Sequence, residues 1–425
     1  MYITDTHCRY ERQPLKAPFA FKGRQITELW QTEVRLTDSH GRSAAGWGTQ
    51  SVLWSDPAVF QRHTEFEANA IMFQTTERLA AAIRNQEWEG PQAIVRSMAP
   101  RAAEMAAALS GQPSVRLTFA LNAMVGLDNA AWLLEAAQRG VTTFDELVPP
   151  VVRPVLAHRH NHLGLIPLIP YGSGLDEIRA LLEEGSFLLK IKVGADPHGD
   201  GDPDAGLAWD MQRITEIHHL ASGYRTPYTD SGHVLYYLDA NGRYGSKAVL
   251  ERLIRHLERI GAAERVVLIE EPFPEALLED VHDIPLRVAA DESVHSADDV
   301  RERLALGYRA FALKPIAKTL SMTFDMLAAA GSGGAHFFCA DLTVNPILVE
   351  WNKNVAARLP PLPGLRVGVV EANGWQHYAH WEEMKRVHPM RHRPWVEARR
   401  FVFELDDEFY QKSGGIFAAG LGASP

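Results

Sequence analysis

Residues 186–193 read SFLLKIKV, a short apolar run that carries two lysines, Lys190 and Lys192. A β-strand sends alternate side chains to opposite faces, so these two ammonium groups share one face. Lysine is almost never buried unless it is paired or used. Two like charges held together repel, so the pKa of at least one should fall toward neutrality and leave a free amine as a base. Working outward, seven further apolar runs follow the same pattern. They are LGLIPLIPY (163–171), HVLYYLDAN (233–241), RVVLIEEP (265–272), LRVAADES (286–293), AFALKP (310–315), AHFFCAD (335–341) and LRVGVVEAN (365–373). Amphipathic segments separate them, such as LDEIRALLEEG, with Gly185 as its C-cap, and SKAVLERLIRHLERIG, which starts at Ser246 and ends at Gly261. Eight strand-then-helix repeats imply a parallel α/β barrel.

The residues before the barrel read differently. QITELWQTEVRLT (25–37) partly alternates, the turn Asp38-Ser39-His40-Gly41 follows, and Ala44–Trp47 begins a return strand. From about Pro57 to Gly140 the spacing is helical, up to the Pro-rich hinge VPPVVRPV (148–155). We therefore expect an α+β domain over 1–150 and a barrel over 151–400. With no further strand-helix unit beyond Asn373, a tail from about 400 to 425 should return to the first domain as a cap over the barrel mouth.

The chain has 425 residues, with 43 Lys and Arg against 53 Asp and Glu, a net charge of −10. That balance, without a basic run, disfavours nucleic acid and anionic membrane partners. Cys8 and Cys339 are far apart in sequence and form no metal-binding spacing. The N-terminus has no basic-then-apolar leader, and no apolar run reaches the roughly 18 residues of a membrane span. A cytoplasmic protein is expected.

Charged residues recur at the C-terminal ends of the apolar runs, the face where such barrels carry chemistry. Asp239, Glu270 and Asp291 end the third, fourth and fifth runs, a hard oxygen set suited to Mg²⁺. Lys314 ends the sixth run and faces the Lys190–Lys192 pair across the barrel. Glu371 near the end of the eighth is either a substrate contact or a structural carboxylate. The acidic loop 195–206 departs from a calcium loop at Pro203, Gly206 and Met211 and reads as solvated.

The order LLKIKVG, LDAN, IEEP, ADES, ALKP resembles the enolase superfamily, and within it the muconate lactonizing enzyme subgroup. PLKAPFAFKG followed by a hairpin ending in GWG resembles that subgroup's capping domain. The resemblance implies a (β/α)7β TIM-like barrel with an N-terminal α+β capping domain. It implies Asp239, Glu270 and Asp291 as ligands of Mg²⁺, with Mn²⁺ an acceptable substitute. Lys192 and Lys314 match the acid/base lysines, Lys190 their electrostatic partner, and Glu292 and Asn241 stand behind the ligands. The implied chemistry is removal of a proton α to a carboxylate, through an enediolate, giving racemisation or epimerisation, β-elimination or cycloisomerisation. The partner is then a small-molecule carboxylate, and a homo-oligomer is expected. The run Glu371-Ala-Asn373 stands where dipeptide epimerases of the subgroup carry Asp-x-Asp, which speaks against a dipeptide substrate. The connection from Lys192 to Asp239 is longer than the subgroup's and is expected to cover the site or to join subunits.

Two other classes fit the sequence less well. His158-Arg-His160-Asn-His162 resembles the His-x-His of an amidohydrolase barrel, but the further ligands which that hydrolysis needs are absent from strands five, six and eight. A non-catalytic barrel would have no reason to keep six charged strand ends in order. GSGG (331–334) reads as a turn. Phe19, Trp47 and Trp54 are candidates to reach substrate from the cap, with a core role equally open.

Overall fold

Pro167 breaks the first barrel run into two strands that serve different neighbours. In the structure, a computed structural model describing residues 1–21, 24–331 and 334–421, β4 (His162–Ile166) and β5 (Leu168–Ile169) flank this proline. A proline has no N–H to give to a ladder, so the ladder changes partner there. Seven more strands follow: β6 (Leu188–Lys192), β7 (Leu235–Asp239), β8 (Val266–Glu270), β9 (Val288–Ala290), β10 (Ala310–Leu313), β11 (His336–Cys339) and β12 (Gly368–Glu371). They pair in parallel in sequence order, β5 with β6 and β12 with β4, so the ring closes through the broken first strand. The eight runs read from sequence are all present and shorter than their apolar spans. Helices lie between them, including Leu175–Glu184, whose C-cap Gly185 has φ +112°, and Lys247–Arg259.

Alternate residues of each strand fill the barrel. Leu188, Leu235, Tyr237, Leu268, Ala289, Ala310, Ala312, Phe338 and Val369 form one buried cluster. Continuing each row by two residues toward the strand's C-terminal end reaches Lys190 and Lys192, Asp239, Glu270, Asp291, Lys314 and Glu371. The period of two that packs the interior therefore also delivers the charges to the mouth.

The N-terminal part is a three-stranded antiparallel sheet with helices on one side. β1 (Ile3–Phe21), β2 (Arg24–Asp38) and β3 (Ser43–Gln50) pair in that order. The first of these was not read from the sequence, because its 19 residues are largely polar and half-exposed. Against β3 lies the helix Leu117–Arg139. Contact is so close that a Cβ on Gly46 would stand 2.2 Å from both Ala130 N and Gly126 O, so only glycine fits there. This helix is the one among the described residues long and apolar enough to cross a membrane, and its apolar window is 94% buried in the core.

Beyond the barrel, β13 (Val402–Glu404) pairs antiparallel with β4. The helix Ile416–Leu421 then packs on β3, where a Cβ on Gly420 would meet Ala45 O at 2.7 Å. Residues 332 and 333 of the GSGG turn lie outside the described residues.

Candidate active site

Register brings the charged strand ends level. Lys192 is paired with Asp239, Asp239 with Glu270, and Glu270 with Ala289, two residues before Asp291. Lys192 ends strand two and Lys314 follows strand six of an eight-strand ring, half a turn apart. Between them lies a cavity of about 490 Å³, lined by Lys190, Lys192, Asp239, Asn241, Asp291, Glu292, Lys314 and Glu371. From the cap, Phe19, Ile26, Leu29, Leu53 and Trp54 form an apolar wall, while Trp47 packs into the cap core instead. Ala195, Asp196, Pro197 and Trp209 of the long second connection also line it, so part of that connection covers the site. The acidic stretch within it is exposed, and Asp202 caps the helix Pro203–Ala221.

Lys190 Nζ stands 2.9 Å from Glu270 Oε2, 3.1 Å from Asp239 Oδ2 and 3.1 Å from Glu371 Oε2. Burial opposes its charge, but Asp239, Glu270 and Glu371 outweigh that and hold the ammonium well above the usual lysine range. This corrects the sequence expectation for Lys190: three carboxylates, not the neighbouring ammonium, set its protonation. Lys192 donates to Asp239 Oδ2 at 2.5 Å and to Asn241 Oδ1 at 2.6 Å. Asn241 in turn donates to Glu292 Oε1 at 2.9 Å. Lys314 Nζ lies 2.5 Å from Asp291 Oδ2 and over the Trp54 ring, 4.7 Å from its centroid. Asp291, with Glu292 and Glu270, likewise lifts Lys314 above its ordinary value against the effect of burial. Asp239 and Asp291 are buried too, yet the lysines hold both below the usual carboxylate range.

Several participants were not singled out from sequence. Lys318 is fully buried and donates to Asp291 O, Asp291 Oδ1 and Val294 O at 2.7, 3.2 and 2.8 Å. Its signal was a second lysine four residues after Lys314 in an apolar segment. Glu271, at φ +40°, accepts from the backbone N–H groups of Asp291 and Ser293 and fixes the loop after strand five. Asp341 ends the seventh apolar run, and the strand-end rule applied to the other runs would have found it.

The chemistry of the donor set fits a divalent cation. Seven buried carboxyl groups (Asp239, Glu270, Glu271, Asp291, Glu292, Asp341 and Glu371) face four lysines, and neither oxygen of Glu270 has an aligned hydrogen-bond donor. Burial and the neighbouring Asp239 push Glu270 well above the carboxylate range, a cost that a bound cation would remove. As the side chains stand, no three acidic, imidazole or thiol groups among the described residues close around one point. The ammonium groups of Lys190, Lys192 and Lys314 engage the carboxylates there instead.

The His cluster lies at the other end of the barrel. His162 opens β4, His160 Nε2 is 2.9 Å from Leu359 O, and no histidine lines the cavity.

Neither a family model nor a curated protein matches the sequence. Solved structures do match the fold. A mandelate racemase/muconate lactonizing protein from Herpetosiphon aurantiacus superposes with TM-score 0.63 at 17% identity, covering 96% of each chain. The L-Ala-D/L-Glu epimerase from Bacillus subtilis, in a substrate-liganded complex, gives 0.63 at 19% identity over 89% of this chain and 92% of its own. L-Talarate dehydratase from Polaromonas sp. JS666, complexed with Mg and L-glucarate, gives 0.61 at 16% identity over 90% and 88%. The chain carries the capping-domain-plus-barrel fold of mandelate racemase/muconate lactonizing enzyme-like proteins of the enolase superfamily.

Proposed function

We propose that this protein is an enzyme that moves a proton at the carbon α to a substrate carboxylate, by racemisation or epimerisation. The observation that carries the reading is the placement of Lys192 and Lys314 half a barrel turn apart on one cavity, with Asp239 and Asp291 between them. Two amines on opposite sides of one carbon can each serve one face. In this reading Lys192 takes the α proton from one face and Lys314 delivers a proton to the other, and the roles exchange for the opposite enantiomer. Asp239, Glu270 and Asp291 would hold Mg²⁺, or Mn²⁺ in its place. When bound, the cation would supply a Lewis acid for the substrate carboxylate and for the negative charge that develops there.

The remaining residues set the electrostatics. Lys190 stays charged among three carboxylates and so limits the repulsion that a substrate anion meets. Asn241 orients Lys192, and Glu292 orients Asn241. The apolar wall from the cap excludes water from the α carbon, which strengthens these interactions. Cys8 and Cys339 are free thiols, in keeping with a reducing cytoplasm.

The test is a screen of N-acyl amino acids, 2-hydroxy acids, acid sugars and dipeptides with Mg²⁺ in D₂O, followed by NMR. Deuterium should enter the α carbon of at least one class. Absence of exchange across all classes with the metal-loaded protein would overturn the reading.

A further inference from the structure

Asp341 sits just past β11 and lines the same cavity, with only 7% of its surface exposed. One of its oxygens is committed. Oδ2 accepts from the backbone N–H of Asn373 at 2.6 Å. Oδ1 is buried without an aligned hydrogen-bond donor. An unpaired buried acceptor is costly, so an oxygen left orphaned beside a cavity points to a missing donor.

The surroundings hold this group still. The N–H of Asp341 donates to Glu371 Oε2 at 3.2 Å, and that oxygen lies 3.1 Å from Lys190 Nζ, which ties Asp341 to the centre of the charged site. Tyr378 donates its hydroxyl to Thr343 O at 2.5 Å, and the Thr343 hydroxyl donates to Asn373 Oδ1 at 2.7 Å. From the cap, Gln31 Oε1 accepts from Asn345 Nδ2 at 2.9 Å and from the Thr49 hydroxyl at 2.6 Å. The segment 341–345 is thus clamped between cap and barrel, and a fixed acceptor can discriminate between ligands.

We propose that Asp341 selects the substrate, its Oδ1 accepting a hydrogen bond from an O–H or N–H that the substrate carries beside its carboxylate. The apolar cap wall then takes an apolar substituent of the same molecule. This rests on the α-proton reading above and extends it to the kind of carboxylic acid turned over.

The test compares matched acids with one apolar side chain. A 2-hydroxy acid is set against its O-methyl ether, and an N-acyl amino acid against its N-methyl analogue. Exchange of the α proton is followed in D₂O with Mg²⁺ at limiting and saturating concentrations. Burial and the nearby Glu371 push Asp341 up to about 7, so the work is done above that pH, where Oδ1 is an acceptor. The wild type should prefer the donor-bearing acid by about 10- to 100-fold in kcat/KM. In Asp341→Asn the amide oxygen can keep the backbone contacts while an NH₂ replaces the acceptor Oδ1, so the preference for a donor should be lost. Asp341→Ala should abolish it. Should Asp341→Ala fail to fold by circular dichroism, the loss of preference in Asp341→Asn alone decides. Equal exchange of both members of each pair by the wild type, or an unchanged preference in the variants, overturns the proposal and leaves the α-proton reading standing. No exchange of any acid by the wild type overturns both.

Discussion

Replacing Asp128 by asparagine should change how the stability of the protein depends on pH, in one direction and over one window. Asp128 is fully buried on the helix Leu117–Arg139, where this helix meets the start of the helix Leu320–Ala330. It accepts from the Ser321 backbone N–H at 3.0 Å and the Ser321 hydroxyl at 2.5 Å, while Trp132 Nε1 donates to Ser321 Oγ at 3.0 Å. Burial raises Asp128 from 3.8 to about 6, with the donors from Ser321 and Leu320 pulling the other way. A carboxyl whose folded-state value is raised is neutral in both states at low pH. As pH rises past 3.8, the unfolded chain ionises first, so stability is lost until the folded form also ionises near 6, and the loss is constant above that. Each tenfold in proton affinity is worth about 1.4 kcal/mol, so the full loss is about 3 kcal/mol. Urea unfolding of wild type and Asp128→Asn across about pH 4 to 7 measures it, since the contributions of other groups cancel in the difference. Relative to the variant, the wild type should become less stable by about 2–2.5 kcal/mol between these limits, the rest of the loss falling below pH 4. Parallel profiles for the two proteins would refute the reasoning.

Two further predictions come from packing and from charge. Gly46→Ala places a methyl 2.2 Å from Ala130 N and Gly126 O, so β3 must lift from its helix, and a loss of about 1–3 kcal/mol or more should appear as a lower Tm. An unchanged Tm would contradict the close approach. Asp239→Asn should weaken Mg²⁺ binding at least about tenfold by calorimetry, and equal affinity would remove Asp239 from the ligand set.

The barrel was legible because its strands obey two rules at once. The period of two fills the interior with Leu188, Tyr237 and Leu268, and the same period carries Lys190, Asp239 and Glu270 to the mouth, so a charge at the end of an apolar run marked both fold and site. A charge at the end of an apolar run also marks Asp341, in HFFCAD, although it lies one residue off the interior row of Phe338 and Ala340. Other features were hidden for physical reasons. β1 lies in a sheet with much of its surface exposed, so it shows no apolar alternation to read. Pro167 splits a strand whose two halves both look apolar, and only the ladder reveals the change of partner. The protonation of Lys190 depends on Asp239, Glu270 and Glu371, brought to it from distant parts of the sequence, and the spacing of two lysines on one strand could not show those contacts.

The central claim is that two lysines serve opposite faces of one carbon, and isotope exchange in D₂O on each enantiomer of a racemising substrate, in wild type, Lys192→Ala and Lys314→Ala, tests it most directly. Wild type should exchange the α proton of both enantiomers. Each variant should lose turnover by about 10²- to 10⁴-fold while still binding substrate. Lys192→Ala should retain exchange with one enantiomer and Lys314→Ala with its mirror image. Wild-type exchange and turnover in both variants would contradict the account and make these lysines structural.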